Sequence, residues 1–372
     1  MNYFITRLPL TYINAVEAQH YFKVEPEDSI LIILYKDIDS DDIRRIKKML
    51  DHSLWSGIYY LPYNVETLQN EREGGEHKSK FINPIGRIKD ILNFVNKLNS
   101  VANYDGSVER VFIGDYNIVS MRHITNRLKP HEIFILDEGS KVCQIYHQRQ
   151  REIHNKRWRL LKKNFWKCVF ASVLFGYQMQ EFKDFSFFST YDLLSTDKIK
   201  VYRNHYSHLK KNINTLDRFP GVFFLGQCKV KHGSMKLAVY IDYLIKIKKW
   251  FNNLKIIYIP HVGEEHKHLE LIQKETGFKI VEFDVPIEYK LCVDGPIPSV
   301  IASFVSSALQ NCDNILQGMA KVMAFYIYPD DFIGEGKEVT YEEYKYYETH
   351  QSESFSVVKL PTSKHGSGKA TI

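Results

Sequence analysis

A chain of 372 residues is long for one hydrophobic core and suits two domains, and 44% hydrophobic with 25% charged residues is ordinary for a folded protein. Five scattered cysteines without a CxxC pair argue against a disulfide framework or a zinc ribbon and favour a reducing compartment. The first residues lack a signal peptide's basic and apolar regions, and no run reaches the roughly 18 apolar residues of a membrane span, so we expect a cytoplasmic protein.

The first 150 residues alternate apolar runs with amphipathic ones, which predicts a mostly parallel sheet with covering helices. The run Ser29–Tyr35 is continuously apolar, as in a strand buried on both faces. After it, Ser40 caps a helix striped with apolar residues, and a second helix follows Pro84. The next predicted elements are a strand at Val111–Ile113, a helix at Ile118–Leu128 and a strand at Ile133–Leu136.

This alternation lapses between about residues 150 and 215, which predicts a connector with its own helices. From Arg149 to Lys167 eight Lys or Arg residues accompany one acid, interleaved with Trp158, Phe165 and Trp166. Such a segment suits an anionic membrane surface or nucleic acid, whereas a solvated helix face is the simpler interpretation. Because the chain has no recognisable nucleic-acid fold signature, we favour the membrane surface over nucleic acid. The 24 Tyr and 23 Phe indicate either stacking surfaces or an aromatic core.

Alternation resumes in the second half. Its predicted elements are a strand at Gly221–Leu225, a helix at Lys236–Phe251, a strand at Lys255–Ile259, a helix closed by Gly277, a strand at Lys279–Phe283 and a strand at Val300–Val305 that leads into another helix. The tail from about Gly334 is rich in Tyr, Glu and Lys and is expected to be partly disordered.

The predicted fold is α/β, with two Rossmann-like, doubly wound domains that face a central cleft. The predicted organisation is a first Rossmann-like domain at residues 1–150, the basic and aromatic helical connector at 151–215, a second Rossmann-like domain at 216–330, and the tail at 331–372.

Two motifs follow predicted strands, where open α/β sheets place ligands. Asp137-Glu138-Gly139 follows the strand at Ile133–Leu136, and Gly139 permits a sharp turn beside a carboxylate that can act as general base. His261, after Pro260, follows the strand at Lys255–Ile259 and can donate a proton. The simpler interpretations are a surface turn for the acids and a structural role for the histidine.

Three further features bear on ligands. Ser306-Ser307 lies between a strand and a helix and could bind phosphate, or act as an ordinary N-cap. Glu288 follows Pro286 and could accept hydrogen bonds from ribose hydroxyls. Asp37-Ile38-Asp39 resembles a metal-binding DxD but reads more simply as a helix cap, and the His and Glu residues of Gly263–His268 would not share a helix face, so we expect no metal.

Taken together, these motifs resemble the bacterial sialyltransferases of the lipooligosaccharide and capsule types, and also the polysialyltransferases. The resemblance covers residues 110–140 and 220–312. The family's His-Pro motif is Pro260-His261 here, and the loop Gly226–Lys229 offers no carboxylate. The resemblance implies a GT-B-type fold, with Glu138 as the base and Asp137 as the fallback, and with His261 as donor to the leaving phosphate. It also implies that Glu288 holds the ribose, that Ser306 and Ser307 hold the phosphate, and that Gly139 and Pro260 belong to the donor site.

The function expected from this resemblance is inverting, metal-independent transfer of sialic acid. The donor would be CMP-sialic acid, the acceptor a galactose-type hydroxyl of a lipooligosaccharide or capsule glycan, and no cofactor would be needed. Expected partners are the CMP-sugar, the glycan acceptor, the inner face of the plasma membrane as a peripheral contact, and a second copy as a possible homodimer, but no nucleic acid. The alternatives are another CMP-activated acid (pseudaminic, legionaminic or Kdo), a non-catalytic glycan-assembly scaffold, or a basic nucleic-acid-binding protein.

Overall fold

The chain divides into two compact units, Met1–His208 and Leu209–Ile372, and each contains one parallel β-sheet with flanking helices. The predicted α/β class with two Rossmann-like domains is therefore confirmed, while the cleft between them stays a prediction. The computed structural model describes residues 1–64, 84–154, 172–252, 254–333 and 337–361.

The first domain's sheet has seven parallel strands within the described residues, in the spatial order β3-β2-β1-β4-β5-β6-β7. These strands are β1 (Asn2–Thr6), β2 (Ser29–Tyr35), β3 (Gly57–Pro62), β4 (Arg110–Ile113), β5 (Glu132–Leu136), β6 (Ser186–Ser189) and β7 (Val201–Arg203). The strand order reverses between β1 and β4. At such a switch point the loops after the two strands diverge and leave room for a ligand at the carboxyl edge.

Helices link these strands and cover the sheet. They are α1 (Pro9–Tyr21), α2 (Asp41–Met49), α3 (Pro84–Ala102), α4 (Val119–Leu128) and α5 (Lys141–His154). The stripe predicted for α2 is present, because Ile43, Ile46 and Met49 are its buried residues. The connector prediction is wrong for Ser186–Ser189 and Val201–Arg203, since these residues pair in parallel with the first sheet as β6 and β7. The basic run largely lies outside the described residues, which omit 155–171.

Aromatic side chains fill the core. The largest fully buried side chains of the described residues are all Tyr or Phe. In the first sheet, Phe112 of β4 stacks between Phe4 of β1, at a ring-centroid distance of 4.6 Å, and Phe134 of β5, at 4.9 Å. The core interpretation of the aromatic content therefore holds for these residues.

Replacing Phe112 with Ala is expected to destabilise the first domain by about 3–5 kcal/mol, because the change removes a stacked ring and leaves a cavity. Urea unfolding followed by tyrosine and tryptophan fluorescence measures this loss. Leu194→Ala is the control: its side chain is 70% exposed, so the change is expected to cost about 0.5 kcal/mol or less. Equal losses in the two variants would contradict this account of the core.

The second domain's sheet has six parallel strands in the described part of the chain, in the order β10-β9-β8-β11-β12-β13. They are β8 (Arg218–Leu225), β9 (Lys255–Ile259), β10 (Lys279–Ile280), β11 (Ile297–Ser303), β12 (Lys321–Phe325) and β13 (Phe355–Val358). The order reverses between β8 and β11, so this sheet also has a switch point. Its helices are α6 (Leu237–Trp250), α7 (His266–Thr276), α8 (Ser307–Leu316) and α9 (Lys337–Thr349), with a one-turn helix at Ile287–Tyr289.

The predicted tail contributes structure to this second domain. Its residues Phe355–Val358 form β13, which pairs in parallel with β12, and Lys337–Thr349 form α9. These two segments are therefore part of the second domain, which extends beyond the predicted boundary at residue 330. The expected partial disorder of the tail stays a prediction, because residues 362–372 lie outside the described part of the chain. Tyr344 helps to attach α9 to the second sheet, because its buried hydroxyl donates to the carbonyl of Phe325 in β12 at 2.7 Å. Across the described residues, no helix combines the length and the apolar character needed to cross a membrane.

Candidate functional site

Charged side chains gather at the carboxyl edge of the first sheet. Arg7 follows β1, Asp115 follows β4, and Glu138 follows β5, so these side chains come from three neighbouring strands at the switch point. Parallel strands bring their carboxyl ends to one edge, which is why residues more than 100 positions apart in sequence meet here. The structure therefore surrounds the predicted acidic motif with charges from other strands.

Asp137 is held in the interior below this edge. Its side chain accepts a hydrogen bond from the Thr190 N–H at 2.6 Å, and its carbonyl accepts one from Asn14 Nδ2 at 2.9 Å. Burial raises the pKa of Asp137 to about 7, although hydrogen bonds from Ser189 and Thr190 act in the opposite direction. The Asp137 carboxyl thus ties the end of β5 to the residues that follow β6.

Glu138 is a buried carboxylate whose contacts with charged neighbours shift its pKa. Its side chain is only 6% exposed, and Oε1 accepts from Arg7 Nη2 at 2.5 Å and from Lys141 Nζ at 3.3 Å. Burial is the main cause that raises the pKa of Glu138 to about 7, and Asp115 raises it further, while Arg7 and Lys141 lower it. A carboxyl with this pKa exchanges protons near neutral pH, which is the property a general base needs.

Gly139 forms the turn that follows the two acids. Its φ of 69° lies in the left-handed region, where a side chain would be strained. The chain then enters α5 at Lys141, whose ammonium turns back to Glu138. Glycine at this position therefore lets the strand end, the acid and the first residue of the helix meet within a few residues.

His261 lies at the carboxyl edge of the second sheet, one residue after Pro260 and two after the end of β9, and it is exposed. Its Nδ1 accepts from the Gly263 N–H at 3.2 Å and lies 3.0 Å from Cys228 Sγ. Burial, and then the charge of Glu264, raise the pKa of the Cys228 thiol, so the sulfur keeps its proton and donates as well. With Nδ1 an acceptor, the neutral ring carries its proton on Nε2.

Glu264 supports the backbone around His261. Its Oε2 accepts from the His261 N–H at 2.8 Å, and its Oε1 accepts from the Tyr258 hydroxyl at 2.7 Å. That hydroxyl lies 2.9 Å from the hydroxyl of Tyr240. Burial raises the pKa of Glu264 to about 7, against the lowering effect of these hydrogen bonds. The network fixes the turn that carries the imidazole, and no local sequence pattern predicts it.

Gly226 makes room for this network, because a Cβ at residue 226 would strike Glu264 Oε2 and would lie 2.5 Å from the Tyr258 hydroxyl. Gly226→Ala is expected to cost about 1–3 kcal/mol of stability through overpacking. Thermal unfolding measures the cost. Gly57→Ala is the control, since the atoms nearest to a Cβ there belong to the flexible Tyr59 side chain, the first of them at 3.2 Å. A wild-type melting temperature for Gly226→Ala would contradict the close approach.

Ser306 and Ser307 lie at the start of α8, just beyond β11, and both are half-buried. The Ser306 hydroxyl accepts from the Ala308 N–H at 3.3 Å, so Ser306 is the N-cap of the helix. Tyr347 of α9 clamps the Ser306 backbone: its hydroxyl accepts from the Ser306 N–H at 3.2 Å and donates to the Ser306 carbonyl at 2.9 Å. The serine pair and His261 follow β11 and β9, the two strands that flank β8.

Glu288 lies within the second domain rather than on its surface. It is 5% exposed, and its Oε1 accepts from Asn311 Nδ2 at 2.8 Å. Burial raises the pKa of Glu288, while the bond from Asn311 lowers it. This contact joins the one-turn helix Ile287–Tyr289 to α8. The role of Glu288 as a ribose ligand stays a prediction.

The metal interpretations receive no support from the described residues, where no group of three His, Cys, Asp or Glu side chains could hold an ion. At Asp37-Ile38-Asp39, Asp37 Oδ1 accepts from the Asp39 N–H at 3.0 Å, which closes a turn just before α2. This is a local structural role. The independence from metal stays a prediction.

Sequence reasoning missed Arg7, Asp115 and Lys141. Each is an isolated charged residue outside any recognisable motif, and only Lys141 lies close to the acidic motif in sequence. The available signal was positional, because Arg7 and Asp115 both follow short apolar runs, at Tyr3–Ile5 and Val111–Ile113.

No protein-family model matches the sequence, and no curated protein matches it significantly. Among solved structures, the chain resembles an α/β-galactoside α-2,3-sialyltransferase from Photobacterium phosphoreum, with 12% identity over 96% of this chain and 97% of that one, at a TM-score of 0.50. It also resembles a putative UDP-N-acetylglucosamine 2-epimerase from Listeria monocytogenes, with 10% identity, 87% and 78% coverage, and a TM-score of 0.48. An E. coli heptosyltransferase gives 11% identity, 90% and 91% coverage, and a TM-score of 0.42. The first similarity supports the GT-B-type fold.

Proposed function

We propose that this protein is an inverting glycosyltransferase that moves sialic acid from CMP-sialic acid to a galactose-type hydroxyl of a bacterial surface glycan. The observation that carries the proposal is Glu138, a buried carboxyl that follows β5 next to the switch point of the first sheet, and whose pKa is raised to about 7. The fold similarity to a solved sialyltransferase supports the choice of reaction.

In the proposed reaction, the acceptor hydroxyl oxygen forms a bond to the anomeric carbon as the bond from that carbon to the CMP phosphate oxygen breaks. The hydroxyl proton passes to Glu138, with Asp137 as the fallback. Glu138 suits this role better, because the Asp137 carboxyl already holds the Thr190 N–H in the interior. Arg7 and Lys141 hold Glu138 Oε1 in place.

The second domain would stabilise the departing CMP. The Nε2–H of His261 donates to the phosphate, and the hydroxyls of Ser306 and Ser307 with the N–H groups at the start of α8 offset its growing negative charge. A single phosphate needs only a few such donors, so the proposed reaction runs without a metal. Glu288 is proposed to hold the ribose, and Pro260 and Gly139 to shape the turns beside the donor.

A donor panel tests this function. Purified protein is incubated with lactose and with CMP-sialic acid, CMP-Kdo, CMP-pseudaminic acid, CMP-legionaminic acid or a UDP-sugar, and nucleotide release is measured. Release of CMP and formation of a sialylated product are expected, with unchanged rates in EDTA. If only another CMP-sugar is turned over, the proposed type of reaction stands and the proposed donor is replaced by that sugar. Turnover of the UDP-sugar alone, or of none, would overturn the proposal.

We also propose an acceptor and a location for the protein, both of which rest on the sequence. A lipooligosaccharide or capsule acceptor would bring the protein to the inner face of the plasma membrane, and residues 149–167 carry the basic and aromatic side chains suited to that surface.

A further inference from the structure

Two groups contact the Nδ1 atom of His261. Cys228 lies in the loop after β8, and His261 lies in the loop after the neighbouring strand β9, so the pairing of these strands brings together residues 33 positions apart. The Cys228 Sγ lies 3.0 Å from His261 Nδ1, and the Gly263 N–H donates to the same nitrogen at 3.2 Å. The ring is therefore held through Nδ1, although His261 is an exposed residue.

The direction of the sulfur contact follows from the Gly263 amide. A backbone N–H can only donate, so Nδ1 presents its lone pair to the amide and carries no hydrogen. Because this nitrogen has no hydrogen to give, the Cys228 thiol must carry the proton of the contact and donate it toward Nδ1. The hydrogen of the neutral ring is then on Nε2.

The surroundings of Cys228 keep its thiol protonated and in place. Cys228 is 8% exposed. Burial, and then the charge of Glu264, raise the pKa of the thiol, and they outweigh the Gly263 N–H and Lys231, which lower it. The sulfur also packs closely on the turn, because a Cβ at residue 263 would lie 2.6 Å from Sγ. Glycine at that position therefore leaves room for the sulfur beside the imidazole.

We propose that Cys228 is the positioning residue of His261: its S–H holds Nδ1 as an acceptor and so directs the Nε2–H toward the phosphate of the donor. This inference rests on the proposed function for its catalytic meaning. A carboxylate often orients a catalytic histidine in this way, whereas a thiol does so without adding a negative charge. The sulfur forms no covalent bond and keeps its proton throughout. Cys228 acts through His261 and does not touch the phosphate.

The first test needs no activity and uses infrared spectroscopy of the free protein. The S–H stretching band that disappears in Cys228→Ala belongs to Cys228, and a hydrogen bond lowers its frequency. This band is expected to move to higher frequency in His261→Phe, which keeps a ring but has no nitrogen. His266→Phe makes the same change at an exposed histidine and is expected to leave the band in place. A band that does not respond to His261→Phe, or no Cys228 S–H band at neutral pH, overturns the inference.

The second test measures turnover. Cys228→Ala is expected to lower kcat by about 10-fold and to leave the KM for the donor within about twofold, since one hydrogen bond to the ring is lost. Cys228→Ser keeps a hydroxyl donor and is expected to recover most of kcat. Cys292→Ala is the control, because it makes the same deletion at a cysteine of the same domain that is 2% exposed, and it is expected to keep kcat.

The outcomes separate the role of Cys228 from the proposed function. If Ser and Ala at position 228 lose the same activity and the same thermal stability, the role of Cys228 is merely structural and the inference fails. If no sugar is transferred but the S–H band responds to His261→Phe, the proposed function fails and the thiol contact stands. If transfer depends on His261 but Cys228→Ala keeps the wild-type kcat, the function stands and the positioning role fails.

Discussion

Replacing Glu138 with Gln is expected to lower kcat/KM for the proposed sialyl transfer by at least about 100-fold, the contribution typical of a general base. Gln keeps the size of the side chain and an oxygen for Arg7, but it cannot accept a proton. Product formation from CMP-sialic acid and lactose, measured at saturating donor, checks this result. Thermal unfolding within a few degrees of wild type shows that the loss is chemical.

Glu132→Gln is the matched control, because it makes the same chemical change on the same strand. Glu132 lies at the amino end of β5, where it binds Arg110 at 3.1 Å. This variant is expected to keep wild-type activity. Full activity in Glu138→Gln, or an equal loss in both variants, would remove Glu138 from the mechanism and turn attention to Asp137.

The pH dependence of wild-type activity is a further test of Glu138 as the general base. Because the base must be ionised and the pKa of Glu138 is raised to about 7, kcat/KM is expected to rise with pH up to about 7 and to level off above it. The residual activity of Glu138→Gln should lack this rise. A wild-type profile that is flat from pH 5 to 8 would contradict the assignment.

His261→Ala is expected to lower kcat by about 100-fold, because the leaving phosphate loses its proton donor while most donor contacts remain. CMP release at saturating donor measures the effect. His266→Ala is the control, since His266 is exposed and opens α7 only a few residues away. A loss in both variants would indicate damage to the turn around Glu264 rather than loss of a donor, and full activity in His261→Ala would exclude the role.

Much of the fold could be predicted from local sequence. Long apolar runs such as Ser29–Tyr35 formed the expected strand, and Gly277 closes α7 with a φ of 69°. The elements that were missed include some of ordinary length, such as the 13-residue helices α1 and α9, as well as short strands. The strands β6 and β7 have only four and three residues, too few to show the alternation of apolar and polar residues that predicts a strand. In the structure β6 pairs with β5, and β7 pairs with β6. Similarly, β13 lies in a polar segment and depends on α9 and β12.

The candidate site could be predicted in part. Sequence indicated the residues at the ends of β5 and β9, because an apolar run followed by a polar motif is a local signal. Arg7 and Asp115 could not be predicted as site residues, because the pairing of β1 with β4 brings them to the site. That pairing joins residues over 100 positions apart. The contacts of Glu264 could not be predicted for a different reason. They depend on the space beside Gly226, where a Cβ would strike Glu264 Oε2, and only the three-dimensional structure shows this.

The clamp of Tyr347 on Ser306 has a practical consequence for anyone who shortens this chain. A C-terminal truncation near residue 333, chosen because the remainder looks dispensable, would delete α9 and with it both backbone bonds to Ser306. It would also remove β13, so that the backbone N–H and C=O groups of β12 that pair with β13 would be left exposed. An unpaired strand edge of this kind promotes aggregation. Expression vectors for this protein should therefore extend at least to Leu360, whose carbonyl binds the Tyr328 hydroxyl at 2.9 Å.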